Sequence, residues 1–121
     1  METGLDFWQV MSGLANSHSI TIDRPRGSAH PRYPEKAYPL DYGFLENTSA
    51  ADGGGIDVWI GSQNGKTLTG ILCTFDKLKR DAEIKLLISC TMEDIETILR
   101  FHKDMATLFI PNPMVEHDLS H

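Results

Sequence analysis

The 121 residues are 40% hydrophobic and 23% charged, which fits one globular domain spanning residues 1–121 and excludes a disordered, collagenous or coiled-coil chain. No apolar run approaches the ~20 residues that a membrane-spanning helix needs, so no membrane partner is expected. Eleven Lys and Arg against 17 Asp and Glu give a net charge of −6, which argues against a nucleic-acid binder, because phosphate neutralisation needs a basic face.

In chain order, Leu5, Trp8, Met11 and Leu14 recur at helical spacing and predict a short amphipathic helix that ends near Asn16 and Ser17. Alternation over residues 19–23 predicts a strand. Pro25, Pro31, Pro34 and Pro39 then forbid a helix, and an extended, rigid segment is expected. Short strands follow at 42–45 and 56–60. The pair Asn64-Gly65 signals a hairpin turn before strands at 67–75 and 83–89. Thr91 with Asp94 three residues on resembles a capping box opening a second helix, on which Ile95, Ile98, Leu99 and His102 share a face and Glu96 and Arg100 stand at pairing distance. Five strands and two helices predict an α+β, mainly β domain: an OB-like five-stranded barrel with two flanking helices, or else a twisted open antiparallel sheet.

Chemistry is concentrated in three places. Asp52 and Asp57 bracket three glycines, and Asp57 lies between Ile56 and Val58, so its carboxylate is expected to be half-buried and to need a partner such as a cation; a turn aspartate beside a strand-edge aspartate is the plainer reading. Asp76 and Asp81 bracket a hairpin tip, where they either converge on an ion or sit in a solvated turn balanced by Lys77, Lys79 and Arg80. Arg24, Arg26, Arg32, Tyr38, Tyr42, Lys85 and Lys103 supply forks, point charges and phenols suited to phosphate, or are surface groups; Lys85, inside an apolar strand, must point out of the core. Carboxylates without a thiolate or histidine cluster suit Mg²⁺ or Mn²⁺. The five histidines lack zinc spacing, and His117 and His121 stand in a C-terminal tail expected to fray or to meet a partner. Cys73 and Cys90 are expected to be packing residues of a reducing compartment. The first residues lack a basic region and a small-residue cleavage site, so a cytoplasmic protein is expected.

The runs IDRPRGS (22–28), YPLDYGF (38–44) and DGGGIDV (52–58), followed by Asp76 and Asp81, resemble in residue and order the soluble family I inorganic pyrophosphatases, over about residues 19–105. The resemblance implies an OB-like barrel and Mg²⁺-dependent hydrolysis of pyrophosphate to two phosphates. It implies Asp52, Asp57, Asp76 and Asp81 as metal ligands, and Arg32, Tyr42, Lys85 and Lys103 as phosphate-binding residues. A non-catalytic phosphate or nucleotide binder, or a hydrolase of another phosphoanhydride, is the alternative.

The departures from the family pattern concern catalysis. Gly54 stands where the family has the middle aspartate of its signature, and Gly55 replaces a proline. Asp41 stands where the family has asparagine, Asp23 where it has glutamate, and His102 where a tyrosine precedes the helical lysine. Asp41 either substitutes for the lost aspartate by entering the space that Gly54 vacates, joining Asp57 and Tyr42 as the catalytic set, or is an exposed loop residue whose change is independent. The stretch between Tyr33 and Tyr38 is too short for the family's usual hairpin, which widens the expected pocket. Phe7 and Trp8 of the first helix and residues 105–114 are expected to serve a homo-oligomer interface.

Overall fold

The computed structural model describes residues 4–115, so His117 and His121 lie outside the described residues. Its elements are α1 (Leu5–Ser17), β1 (Ile20–Arg24), β2 (Asp41–Leu45), β3 (Ile56–Ile60), β4 (Leu68–Asp76), β5 (Asp81–Ile88), α2 (Met92–Phe101) and β6 (Ala106–Pro111). The strands form one sheet in the order β1-β2-β3-β5-β4-β6. Neighbours run antiparallel except β3 and β5, which are parallel.

The mainly β plan with two helices agrees with the OB-like expectation. Three features differ. The Asn64-Gly65 turn does not close a hairpin, because β5 lies between β3 and β4 in the sheet and pairs in parallel with β3. A sixth strand, β6, pairs with β4 from Gly70 opposite Pro111 to Phe75 opposite Ala106. Its side chains are mostly exposed, so no apolar alternation marks it; backbone pairing at the sheet edge holds it. The sheet is also open, because β1 and β6 stand at opposite ends of the strand order and no hydrogen bonds close it.

Alternation along the central strands gives the sheet two apolar faces. Val58, Ile71, Leu86 and Ile88 point to one face, where Trp8, Met11 and Ala15 of α1 cover them. Trp8 is thus a core residue, not the interface residue expected, while its neighbour Phe7 is exposed. Trp59, Leu72 and Leu87 point to the other face, where Ile95, Ile98 and Phe101 of α2 pack with Tyr38 and Leu40. Cys90 is buried here and Cys73 is partly buried, both as free thiols. Burial pushes the Cys90 thiol up to about 12.

Residues 25–40 are not one extended rod. The chain folds back on itself, with Gly27 N–H bonded to the Tyr38 carbonyl at 2.8 Å and His30 N–H to the Lys36 carbonyl at 2.8 Å. The prolines exclude helix but permit this tight reversal. It seats Tyr38 in the core and presents His30, Tyr33 and Lys36 to a cleft on the α2 face.

Candidate functional site

Strand parity places the site on the α2 face. Tyr42 on β2 pairs with Trp59 on β3, and Lys85 on β5 pairs with Leu72 on β4, so all four share the face that also carries Asp57 and Glu83. The Lys85 ammonium donates to the Tyr42 hydroxyl at 2.8 Å, to Glu83 Oε2 at 3.1 Å and to Asp57 Oδ2 at 3.2 Å. Its three N–H groups are all engaged. The Lys85 side chain is 6% exposed and that of Asp57 29%, so the half-buried aspartate has the cationic partner its setting demands, and that cation belongs to the chain itself.

Burial works against the Lys85 charge, but the Tyr42 phenol and the Asp57 and Glu83 carboxylates outweigh it and hold the ammonium above its ordinary range. Burial, with the negative charge of Asp57 beside it, raises the Tyr42 phenol, which is neutral at pH 7.

Tyr42 and Lys85 border a cleft of about 900 Å³ between the folded-back segment, the β4–β5 turn and the end of α2. Four further cations border it: Lys36, Lys77, Arg100 and Lys103. Among the described residues, Lys85 is the cation in both ion pairs, so none of these four is ion-paired with a carboxylate. Lys36 lies over the Phe101 ring at 4.3 Å, and Arg100 donates to the Thr97 hydroxyl at 3.1 Å instead of pairing with Glu96. His102, also on the cleft, accepts the Trp59 indole N–H at 3.2 Å. Burial, aided by the positive charges of Lys85 and Lys36, pushes its imidazole down to about 3.

Of the residues expected to bind phosphate, Tyr42, Lys85 and Lys103 meet at this cleft; Arg32 is exposed outside its lining. Asp76 and Asp81 stand opposite each other at the end of the β4–β5 ladder, as their bracketing of the hairpin tip implied, but the four aspartates do not come together as one set. Asp76 borders the cleft, but its Oδ1 caps the turn by accepting from Leu78 N–H at 2.9 Å and Lys79 N–H at 3.0 Å. The bonds from the Lys79 and Leu78 amides hold this carboxyl below its usual range. Asp52 sits in an exposed loop and accepts from Gly54 N–H at 2.9 Å. Asp81 is exposed at the start of β5, four residues from Lys85, which at strand rise is about 13 Å. Among the described residues no three His, Cys, Asp or Glu side chains converge to hold a metal ion. As disposed, the aspartates do not fit a divalent-cation cluster.

Asp41 and Gly54 lie near opposite ends of the β2–β3 ladder. Asp41 pairs with Ile60 and accepts from Arg26 N–H at 2.8 Å, whereas Gly54 precedes Ile56, which pairs with Leu45. The ladder between them spans about 13 Å, so Asp41 does not enter the space beside Gly54. Gly55 has its own packing reason: an added Cβ would lie 2.7 Å from Phe44 Cδ2 and 2.8 Å from the Leu45 carbonyl oxygen.

Sequence reasoning did not single out Lys36, Arg100 or Glu83. Glu83 carried a signal, since it stands two residues before Lys85 and so shares its face. Lys36 and Arg100 reach the cleft through tertiary packing alone.

No family model and no curated protein matches the sequence. Solved structures do match. An inorganic pyrophosphatase from Helicobacter pylori superposes with a TM-score of 0.58 at 19% identity, covering 81% of this chain and 88% of its own. One from Coxiella burnetii gives a TM-score of 0.51 at 16% identity, covering 76% and 82%. One from Thermus thermophilus gives 0.50 at 20% identity, covering 75% and 78%. The open mixed sheet, its two helices and the cleft on the α2 face thus stand on an inorganic pyrophosphatase-like fold.

Proposed function

We propose that the chain binds pyrophosphate, or a related phosphoanhydride, in the cleft on the α2 face. One observation carries this reading: five of the eleven Lys and Arg, namely Lys36, Lys77, Lys85, Arg100 and Lys103, border a single cleft against three carboxylates, Glu35, Asp76 and Asp104, in a chain of net charge −6. This local excess of cations over carboxylates, opposite in sign to the chain's net charge, suits a multiply charged anion. Arg100 offers a planar fork for phosphate oxygens and the lysines point charges, while the neutral Tyr42 phenol is a donor beside them. The pyrophosphatase-like fold supports a phosphoanhydride as that anion.

The same fold supports a second reading, hydrolysis of the bound phosphoanhydride to phosphate with Mg²⁺ or Mn²⁺ held by Asp52, Asp57, Asp76 and Asp81. That reading requires Asp52 and Asp57 to join the Asp76–Asp81 pair and Asp57 to leave Lys85.

Calorimetric titration with pyrophosphate tests the binding. A saturable one-site isotherm is expected, and Arg100→Ala and Lys103→Ala should each weaken it roughly tenfold, the scale of one charge-assisted hydrogen bond. Binding that neither variant weakens would overturn the site; no binding would overturn the reading. Mg²⁺-dependent phosphate release, abolished by Asp57→Asn, would establish the hydrolytic reading instead.

A further inference from the structure

A pyrophosphatase-like fold raises the question of how this chain handles a divalent cation, and its residues answer differently from the expectation. Tyr42 on β2, Asp57 on β3 and Glu83 on β5 aim three oxygens at one point, and oxygen donors are what a hard divalent cation takes. That point is held by the Lys85 ammonium. We propose that the cleft takes its phosphoanhydride as the free anion, with no divalent cation, and that Lys85 is the cation the site carries within the chain. The inference rests on the phosphoanhydride reading above.

Three observations support it. The oxygens stand 2.8–3.2 Å from Nζ, the spacing of ammonium hydrogen bonds, whereas Mg²⁺ draws its ligands to about 2.0–2.1 Å. A divalent ion entering there would meet the ammonium as a like charge, and displacing Lys85 would strand its charge in a nearly buried position. The other expected ligands lie apart from this point: Asp52 and Asp76 cap their own turns, and Asp81, opposite Asp76, stands about 13 Å along β5 from Lys85. Finally, Lys36, Lys77, Lys85, Arg100 and Lys103 outnumber Glu35, Asp76 and Asp104 in the lining, and these cations act most strongly on an uncomplexed anion. Magnesium on the ligand would neutralise part of the charge that they attract.

The test is a pyrophosphate titration of the wild-type chain in EDTA and again in excess Mg²⁺, beside Mn²⁺ binding followed by electron paramagnetic resonance. The inference expects binding in EDTA at least as tight as in Mg²⁺, and a free Mn²⁺ signal that the protein leaves unchanged. Lys85→Met, which frees Asp57 and Glu83, is expected to acquire Mn²⁺ binding; if that variant does not fold, the wild-type titrations decide alone. Pyrophosphate binding tenfold tighter in Mg²⁺, or Mn²⁺ bound by the wild type, overturns the inference and leaves the phosphoanhydride site standing. Absence of binding in both buffers overturns the site and the inference together.

Discussion

His102 is a buried imidazole held neutral by its surroundings. Its Nε2 accepts the Trp59 indole N–H, so the ring proton resides on Nδ1, and burial pushes the imidazole down to about 3. An unfolded histidine titrates near 6.5. Between those values the unfolded chain binds a proton that the folded chain refuses. Stability from this group is therefore complete above about pH 6.5 and declines as pH falls toward 3, by up to about 1.4 kcal/mol per pH unit. His102→Gln keeps an acceptor for the indole and removes the titration. Urea unfolding at pH 7 and pH 5 should show the wild type losing more stability than the variant. Parallel losses would assign the acid sensitivity to another group.

At the scale of elements, α2 is fixed by its start. Thr91 Oγ1 accepts from Asp94 N–H at 3.0 Å, and Asp94 Oδ2 returns the bond to Thr91 N–H at 2.9 Å while also accepting the Ser62 amide and hydroxyl, each at 2.8 Å. Thr91→Ala should cost about 1 kcal/mol. Asp94→Ala should cost more, because it also releases the Ser62 turn; equal losses in denaturant titrations would show that the tie to Ser62 contributes nothing. This helix was legible in the sequence because its cap and apolar stripe are local signals, and the β4–β5 hairpin was legible for the same reason. β6 was not, since an edge strand with exposed side chains is held by backbone bonds that leave no pattern. Among the site residues, the half-burial of Asp57 followed from Ile56 and Val58 beside it. Its partner Lys85 lies 28 residues away on a parallel neighbour, and no local rule names that register. Asp41 and Gly54 looked complementary as a pair of sequence changes, yet strand pairing puts them near opposite ends of one ladder.

In the whole molecule, the sheet separates the core on its α1 face from the candidate cleft on its α2 face. The α1 face holds an apolar cluster with no lining residue of the cleft, whereas the α2 face carries both a core and the cleft. Phe101 belongs to both: it packs against Tyr38 and Trp59, and its ring supports Lys36. Met11→Ala should therefore cost about 2–5 kcal/mol yet leave pyrophosphate affinity unchanged at a temperature where the variant is folded. Phe101→Ala should cost about 3–5 kcal/mol and also weaken binding, because Lys36 and Tyr38 lose the surface that positions them. Thermal unfolding paired with calorimetric titration at low temperature reads both quantities for each variant. If Met11→Ala weakens binding as much as Phe101→Ala does, packing strain crosses the sheet, and the two faces act as one unit rather than as a support and a site.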